Sequence, residues 1–368
     1  MLSNKLFRLI TVGIALCLLV TFATVHLTNT FVGHDITVRD AGYDGHVTEG
    51  TAPTGEFVRT VTQNKSILEA IKQFEYRFFG IVDQENIIAG KNDFLFMLED
   101  TENRYHFLRD HRGQFTFSFS QKQRFVDELL RRRDYFAERD ASYMLVVLPT
   151  TMSLYREYLP DYVGQSRGTT RLDDLESYIA TRGMENMFLN TTDYLIEQKD
   201  KGLLANNTGN SLTALGLYFA YRAVCEQINL PTFDKSSIIS EDTLSFYTYQ
   251  SAGKEIAEAA GLEGIVKNNS VSLAEGMLTN YETVYAEGFF KKTSRNVSTE
   301  QESGFSALIQ FSKLSDRLQS EPYFSCTFDY ATLQSNHYQN ESFFEVASPQ
   351  LVIQFVYENE LSSLISLR

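Results

Sequence analysis

The residues that could do chemistry in this chain gather around Asn206–Tyr221, which reads NNTGNSLTALGLYFAY. Leu212, Leu215, Tyr218 and Phe219 recur at helical spacing, so a helix starts here with one apolar face. The loop before it offers Gly209, Asn210, Ser211 and Leu212. None of these is a strong acid, base or metal ligand. A serine hydroxyl such as Ser211 attacks only when a neighbour takes its proton, and imidazole is the usual acceptor. Beyond the N-terminal region the histidines are His106, His111 and His337. For a lone histidine without partner motifs, a surface role is the plainer reading. No Cys/His spacing suggests zinc. The run Arg131-Arg132-Arg133 could hold an anionic substrate, although charge runs on amphipathic helices usually just face water.

These residues must be positioned by the 368-residue chain, long enough for one large domain or two modest ones with ample core. Hydrophobic residues make up 43% and charged residues 22%, the balance of a globular protein. A formal net charge of -14 excludes nucleic acid and anionic surfaces as favoured partners, because a polyanion is repelled. There are 28 Phe and 20 Tyr but no Trp, so aromatic packing is plentiful and no indole is available for carbohydrate stacking. Cys225 and Cys326 are expected as free, buried thiols.

Lys5 and Arg8 precede an uncharged apolar run, Leu9–Val25, close to the about 20 residues a spanning helix needs. With the basic flank inside, residues 1–28 are expected to be a single-pass membrane anchor, leaving the remainder outside the cytoplasm. Residues 29–60 are polar and Gly-dotted, as in a stalk. The domain then occupies 61–368. It opens with a helix at Ser66–Phe79 and a hairpin at Asn86–Met97, turned by Gly-Lys-Asn-Asp. An amphipathic helix at Ser120–Asp140 leads into Tyr143–Pro149 (YMLVVLP), a continuous apolar run typical of a buried parallel strand. Further helices are expected at Leu172–Arg182, Tyr194–Lys201, Lys254–Leu262 and Leu361–Leu367. Strands are expected at Asn186–Leu189, Phe305–Phe311 and Pro349–Tyr357. Alternating helices and buried strands make the fold class α/β. Neither Asp234–Ser251 nor Lys267–Thr299 gives a clean period.

Several segments, in this order, resemble the exported SGNH-hydrolase-like proteins of the alginate O-acetyltransferase type. IIAGKNDFLF (Ile87–Phe96) is similar to their V-I-x-G-K-D-G-W-L-F hairpin, with Phe94 at the Trp position. VVLPTTMSLYREYLP (Val146–Pro160) resembles a strand ending V-V-P-x-K-x-x-x-Y-x-E-x-L-P, with Thr151 at the Lys position. MFLNTTDYL, with Asp193, matches the segment before the catalytic loop. TGNSLTALG (Thr208–Gly216) fits the loop frame T-D-x-H-W-T-x-x-G without a gap. SPQLVIQFVYENEL (Ser348–Leu361) is similar to the family's k-P-D-x-V-v-x-x-x-v-E-R-x-L ending, with Gln350 for Asp and Asn359 for Arg.

The resemblance implies an SGNH-like parallel sheet flanked by helices. It also implies acetyl transfer onto an exported polysaccharide by a Ser/His/Asp site, with no cofactor. This chain departs from the motif at each catalytic position. Gly209 stands for the Asp, Ser211 for the His and Leu212 for the Trp, while Thr208, Thr213 and Gly216 are kept. The nucleophile strand, ending D-S-F in the family, best matches ALIQFSKLSDRL (Ala307–Leu318). That match puts Lys313 at the Ser position, or Ser312 after a one-residue shift. The expectation is therefore a domain that has lost acetyl transfer and binds an exported polysaccharide or a membrane-bound O-acyltransferase. The alternative is an active acetyltransferase or acetylesterase with a displaced site, Ser312 or Ser211 with His337 as base. A non-enzymatic structural surface protein is the third reading.

Overall fold

The computed structural model describes residues 65–80, 82, 84–163, 167–288, 291–298, 304–335 and 349–366. The expected anchor, the stalk and His337 lie outside them. Among the described residues no helix is long and apolar enough to cross a membrane. The chain divides into two units between Ile71 and Lys72; every element named below belongs to the second.

The first strands form the hairpin β1 (Ile87–Ala89) and β2 (Leu95–Met97), paired antiparallel. Its turn places Asn92 and Asp93 at φ 55° and 59°, the left-handed region that short polar side chains tolerate best after glycine. Helix α1 (Phe119–Ala137) starts at a capping box in which Ser118 accepts from Gln121 N–H and the Gln121 side chain accepts from Ser118 N–H. It leads to strand β3 (Ser142–Leu148). Helix α2 (Arg171–Ala180) has the same kind of start at Thr170 and Asp173, and is followed by the short strand β4 (Phe188–Asn190). After the loop of interest comes α3 (Ala214–Gln227), then a ribbon of β5 (Phe246–Ser251) and β6 (Asn268–Leu273). The chain finishes through β7 (Tyr281–Glu287), β8 (Lys291–Asn296), β9 (Ser306–Phe311), α4 (Leu314–Thr327), β10 (Tyr330–Ser335), β11 (Leu351–Tyr357) and α5 (Leu361–Ser366).

Seven strands form the central sheet in the order β4-β3-β11-β9-β10-β8-β7. Pairings from β4 through β10 are parallel, and β8 and β7 extend the sheet antiparallel. β3 shows why its run is continuously apolar. Met144, Val146 and Leu148 enter one core, shared with α3 and α4, and Tyr143, Leu145 and Val147 enter the other, shared with α1, α2 and α5. Each fully buried Val or Leu in such a run contributes about 1.5–3 kcal/mol.

The structure settles the stretches without a clean period. Asp234–Ser251 ends in β5, while Lys267–Thr299 contributes one ribbon strand, β6, and two strands of the main sheet, β7 and β8. Helix α4 and strand β10 extend beyond the sequence expectation for this region. The triple arginine does not form one solvated face: Arg132 is 3% exposed and donates to Gln354 on β11 and to Glu128, while Arg131 pairs with Glu128 and Arg133 with Asp134. Both thiols are free; Cys225 is buried and Cys326 half-buried, and burial raises both above the ordinary thiol range.

Candidate functional site

In an open parallel sheet the crevice lies beyond the carboxyl ends of the strands. Here β3 delivers Thr150 and Thr151, β9 delivers Ser312 and Lys313, and β11 delivers Tyr357 and Glu358 to that edge. The loop Asn206–Thr213 lies against it, closed by a bridge between Ala205 and Leu212.

The loop keeps its shape through the residues the motif frame preserves. Thr213 caps α3 by accepting from Gly216 N–H at 3.3 Å, and donates to the Leu203 carbonyl at 2.6 Å. A Cβ on Gly216 would sit 2.1 Å from the Leu204 carbonyl oxygen, so only glycine fits. Thr208 is fully buried. Its hydroxyl donates to Asn268 Oδ1 at 3.0 Å and accepts from Lys254 N–H at 2.9 Å. Asn207 donates to the Asp93 carbonyl of the hairpin, and Leu95 N–H donates back to the Asn207 carbonyl.

The three positions that depart from the motif are each held within this frame. Gly209 faces a carboxylate from elsewhere: a Cβ built on it would lie 2.8 Å from both Glu255 oxygens, and Glu255 Oε1 accepts from Asn210 N–H at 2.9 Å. Ser211 is 7% exposed, and its Oγ accepts from Asn206 Nδ2 at 3.0 Å. Leu212 is buried, and its N–H donates to the Tyr357 hydroxyl at 3.1 Å.

At the nucleophile strand both candidate positions are resolved. Ser312 follows β9 directly and shares a hydrogen bond with the Glu360 carboxylate. Lys313 is the residue before α4. Its ammonium donates to the Asn210 carbonyl at 2.6 Å and lies 4.2 Å from the Tyr357 ring centroid. The Tyr357 hydroxyl in turn donates to Asp316 Oδ2 at 2.7 Å. Burial pushes the Asp316 carboxyl up, against the Lys313 charge and the Tyr357 hydrogen bond, which pull it down. Burial also raises Glu360, against hydrogen bonds from Tyr357 N–H and Ser312.

The structure thus brings Gly209, Ser211, Leu212, Ser312 and Lys313 to one edge. Sequence reasoning missed Glu255, Asp316, Tyr357 and Glu360, which complete the polar cluster. Glu358 is missed too: it is 2% exposed and accepts from Thr150 N–H at 2.9 Å and from the Thr150 and Ser153 hydroxyls. Asp193 sits in the first turn of the helix Thr192–Glu197. Of the two described histidines, His106 has Nδ1 2.9 Å from Glu99, and His111 is buried at the end of the helix Phe107–His111. The hydrogen-bond partners of Ser211 and Ser312 named above are an amide and a carboxylate, neither an imidazole.

No protein-family model matches the chain, and no curated protein matches it in sequence. Its likenesses are to solved structures. PatB1 of Bacillus cereus, with a sulfonyl adduct, superposes with a TM-score of 0.51 at 9% identity, over 77% of this chain and 99% of that one. A DHHW family protein from Eubacterium siraeum gives 0.49 at 14% identity, over 68% and 90%. The O-acetyltransferase domain of Pseudomonas putida AlgJ gives 0.45 at 15%, over 75% and 92%. At these identities PatB1 establishes a shared fold: a mixed α/β domain around a mostly parallel sheet.

Proposed function

We propose that this chain is the extracytoplasmic domain of a membrane-anchored protein with an SGNH-like scaffold, which no longer transfers acetyl groups. Its role is to bind an exported polysaccharide, or the membrane-bound O-acyltransferase that modifies it, during cell-surface polymer synthesis. Support comes from the motif resemblance along the chain, the fold shared with PatB1, and the AlgJ structure's description as an O-acetyltransferase domain.

The observation that carries the loss of transfer is the Lys313 contact. On the ungapped motif match, which puts Lys313 at the nucleophile position and Ser312 there after a one-residue shift, the Lys313 side chain is committed to the Asn210 carbonyl, in the loop matched to the one that carries the base. A side-chain nitrogen committed to a carbonyl and packed on an aromatic face is not free to attack. Losing triad members costs on the order of 10⁴–10⁶ in rate. The experiment is turnover of p-nitrophenyl acetate by the full chain in detergent. A rate at buffer background is expected; turnover abolished by Ser211→Ala or Ser312→Ala would overturn the reading.

A second reading rests on one contact, the hydrogen bond between Ser312 and Glu360. Here Glu360 accepts the Ser312 proton and the chain is an acetylesterase or acetyltransferase with a displaced site. It requires turnover that disappears in both Ser312→Ala and Glu360→Gln. Loss in His337→Ala instead would place the base on His337.

A further inference from the structure

The ribbon β5–β6 is built unlike the rest of the chain. Its two strands, FYTYQS and NNSVSL, contain no Asp, Glu, Lys, Arg or His, in a protein of which 22% is charged. Side chains two apart on a strand share a face. Tyr247 and Tyr249 therefore stand together, 50% and 37% exposed, with ring centroids 6.0 Å apart. Their cross-strand partners on that face are Ser272 and the buried Ser270, while Gln250 donates to Asn269 Oδ1 at 2.8 Å on the opposite face. The face offers two aromatic rings with hydroxyls beside them, and neither strand carries an ionic group.

The ribbon is also fixed to the candidate site. Asn268 donates to Asn206 Oδ1 at 3.1 Å and accepts from the Thr208 hydroxyl, and Asn269 N–H donates to Asn207 Oδ1 at 2.6 Å. Its root is thus hydrogen-bonded to three consecutive residues of the loop at the sheet edge. A ligand lying on the tyrosines continues toward that loop.

We propose that this face is a docking platform for an uncharged glycan segment, a reading that rests on the polysaccharide-binding role above. The choice of occupant follows from charge and shape. An anionic polymer would find no cation on the ribbon and a net charge of -14 behind it. A lipid surface calls for basic or strongly apolar groups, and neither strand supplies a basic one. A neutral sugar chain has C–H faces that pack on the electron-rich faces of tyrosine rings, and hydroxyls that pair with the tyrosine hydroxyls and with Ser272. Tyrosine does this at low cost in conformational freedom, having two side-chain torsions.

The test is isothermal titration of the full chain in detergent with three probes: cellohexaose, mannohexaose and a hexameric oligouronate. The wild type is expected to bind a neutral hexasaccharide more tightly than the oligouronate. Tyr247→Ala/Tyr249→Ala should weaken that binding by at least about tenfold with an unchanged melting temperature, whereas Tyr247→Phe/Tyr249→Phe should retain it. Equal binding by wild type and the Ala variant overturns the platform and leaves the polysaccharide role standing. Binding of the oligouronate alone does the same. Binding of none of the three overturns both. Light scattering that shows a dimer for the wild type and a monomer for the Ala variant overturns the platform in favour of contact between two copies.

Discussion

The Lys313 ammonium donates to the Asn210 carbonyl at 2.6 Å while lying 4.2 Å from the centre of the Tyr357 ring. One side chain thus ties the end of β9 to the loop before α3 and covers the aromatic residue that ends β11. Replacing Lys313 by Met keeps the stem and removes the donor. A charge-assisted bond of this kind contributes about 1.5–3 kcal/mol, discounted toward 1 because Lys313 is half-buried. Lys313→Met should lower stability by roughly 1 kcal/mol in urea unfolding. Lys313→Ser should leave ester hydrolysis at background. A Lys313→Ser variant that gained turnover would show that only the nucleophile, and not the base, had been lost.

Tyr357 is the second joint. Its hydroxyl donates to Asp316 and accepts from Leu212 N–H, all three residues being buried. Tyr357→Phe removes both bonds and strands a carboxyl and an amide away from water, which costs about 2–4 kcal/mol. Asp316→Asn combined with Tyr357→Phe should cost less than the sum of the singles, because the pair is coupled. Chemical denaturation of the two singles and the double reads this out; strict additivity would refute the coupling.

Gly209 and Glu255 form a steric and electrostatic pair. Any Cβ at position 209 lies 2.8 Å from the Glu255 carboxylate, so Gly209→Ala should cost about 1–3 kcal/mol. Gly209→Asp, which restores the motif residue, should cost more because a second carboxylate arrives beside the first. Glu255→Ala should rescue most of the loss in either background. Failure of that rescue in thermal melts would mean that the loop backbone, and not Glu255, sets the constraint.

Asp110 gives a pH signature. It accepts from the Tyr105 hydroxyl at 2.5 Å and from Arg171 N–H at 2.7 Å. Burial nevertheless raises its pKa from 3.8 to about 6, the Tyr105 hydrogen bond opposing and the Glu358 charge adding to the rise. A carboxyl raised on folding binds more protons in the native state. Stability from this group is therefore full below pH 4 and falls as pH climbs toward 6. The loss is of order 2–3 kcal/mol. Relative to wild type, Asp110→Asn should flatten the stability profile between those values; an unchanged slope would rule Asp110 out as its source.

The parts of the fold legible in the sequence are those whose signal is local. YMLVVLP is apolar throughout, and QLVIQFVY is apolar apart from its two glutamines, because both faces of β3 and β11 are covered; the GKND turn carries two residues with positive φ. The loop frame Thr208, Thr213 and Gly216 was legible because each holds its place through contacts at short range or through lack of space. Helix α4 was not. Asp316, Arg317, Ser320 and Glu321 are buried among its apolar residues, and Pro322 interrupts its pattern. Strands β7 and β8 carry Thr, Ser, Lys and Asn where apolar residues would announce a strand. The site cluster was illegible for a different reason: Asn210, Glu255, Lys313 and Tyr357 meet only after the sheet closes, and no local pattern links them.

That closure has a consequence for how the protein is made. Among the described residues β11 comes last of the strands in sequence yet lies inside the sheet between β3 and β9, and Tyr143 and Gln354, which hydrogen-bond, are 211 residues apart. Until Leu351–Tyr357 emerges, β3 and β9 have no common neighbour and their apolar edges stay open. Such long-range pairing makes folding slow and leaves intermediates prone to aggregate. A chain cut before Leu351 would therefore leave β3 and β9 each with an open apolar edge, and no part of the sheet would persist as a partly working domain.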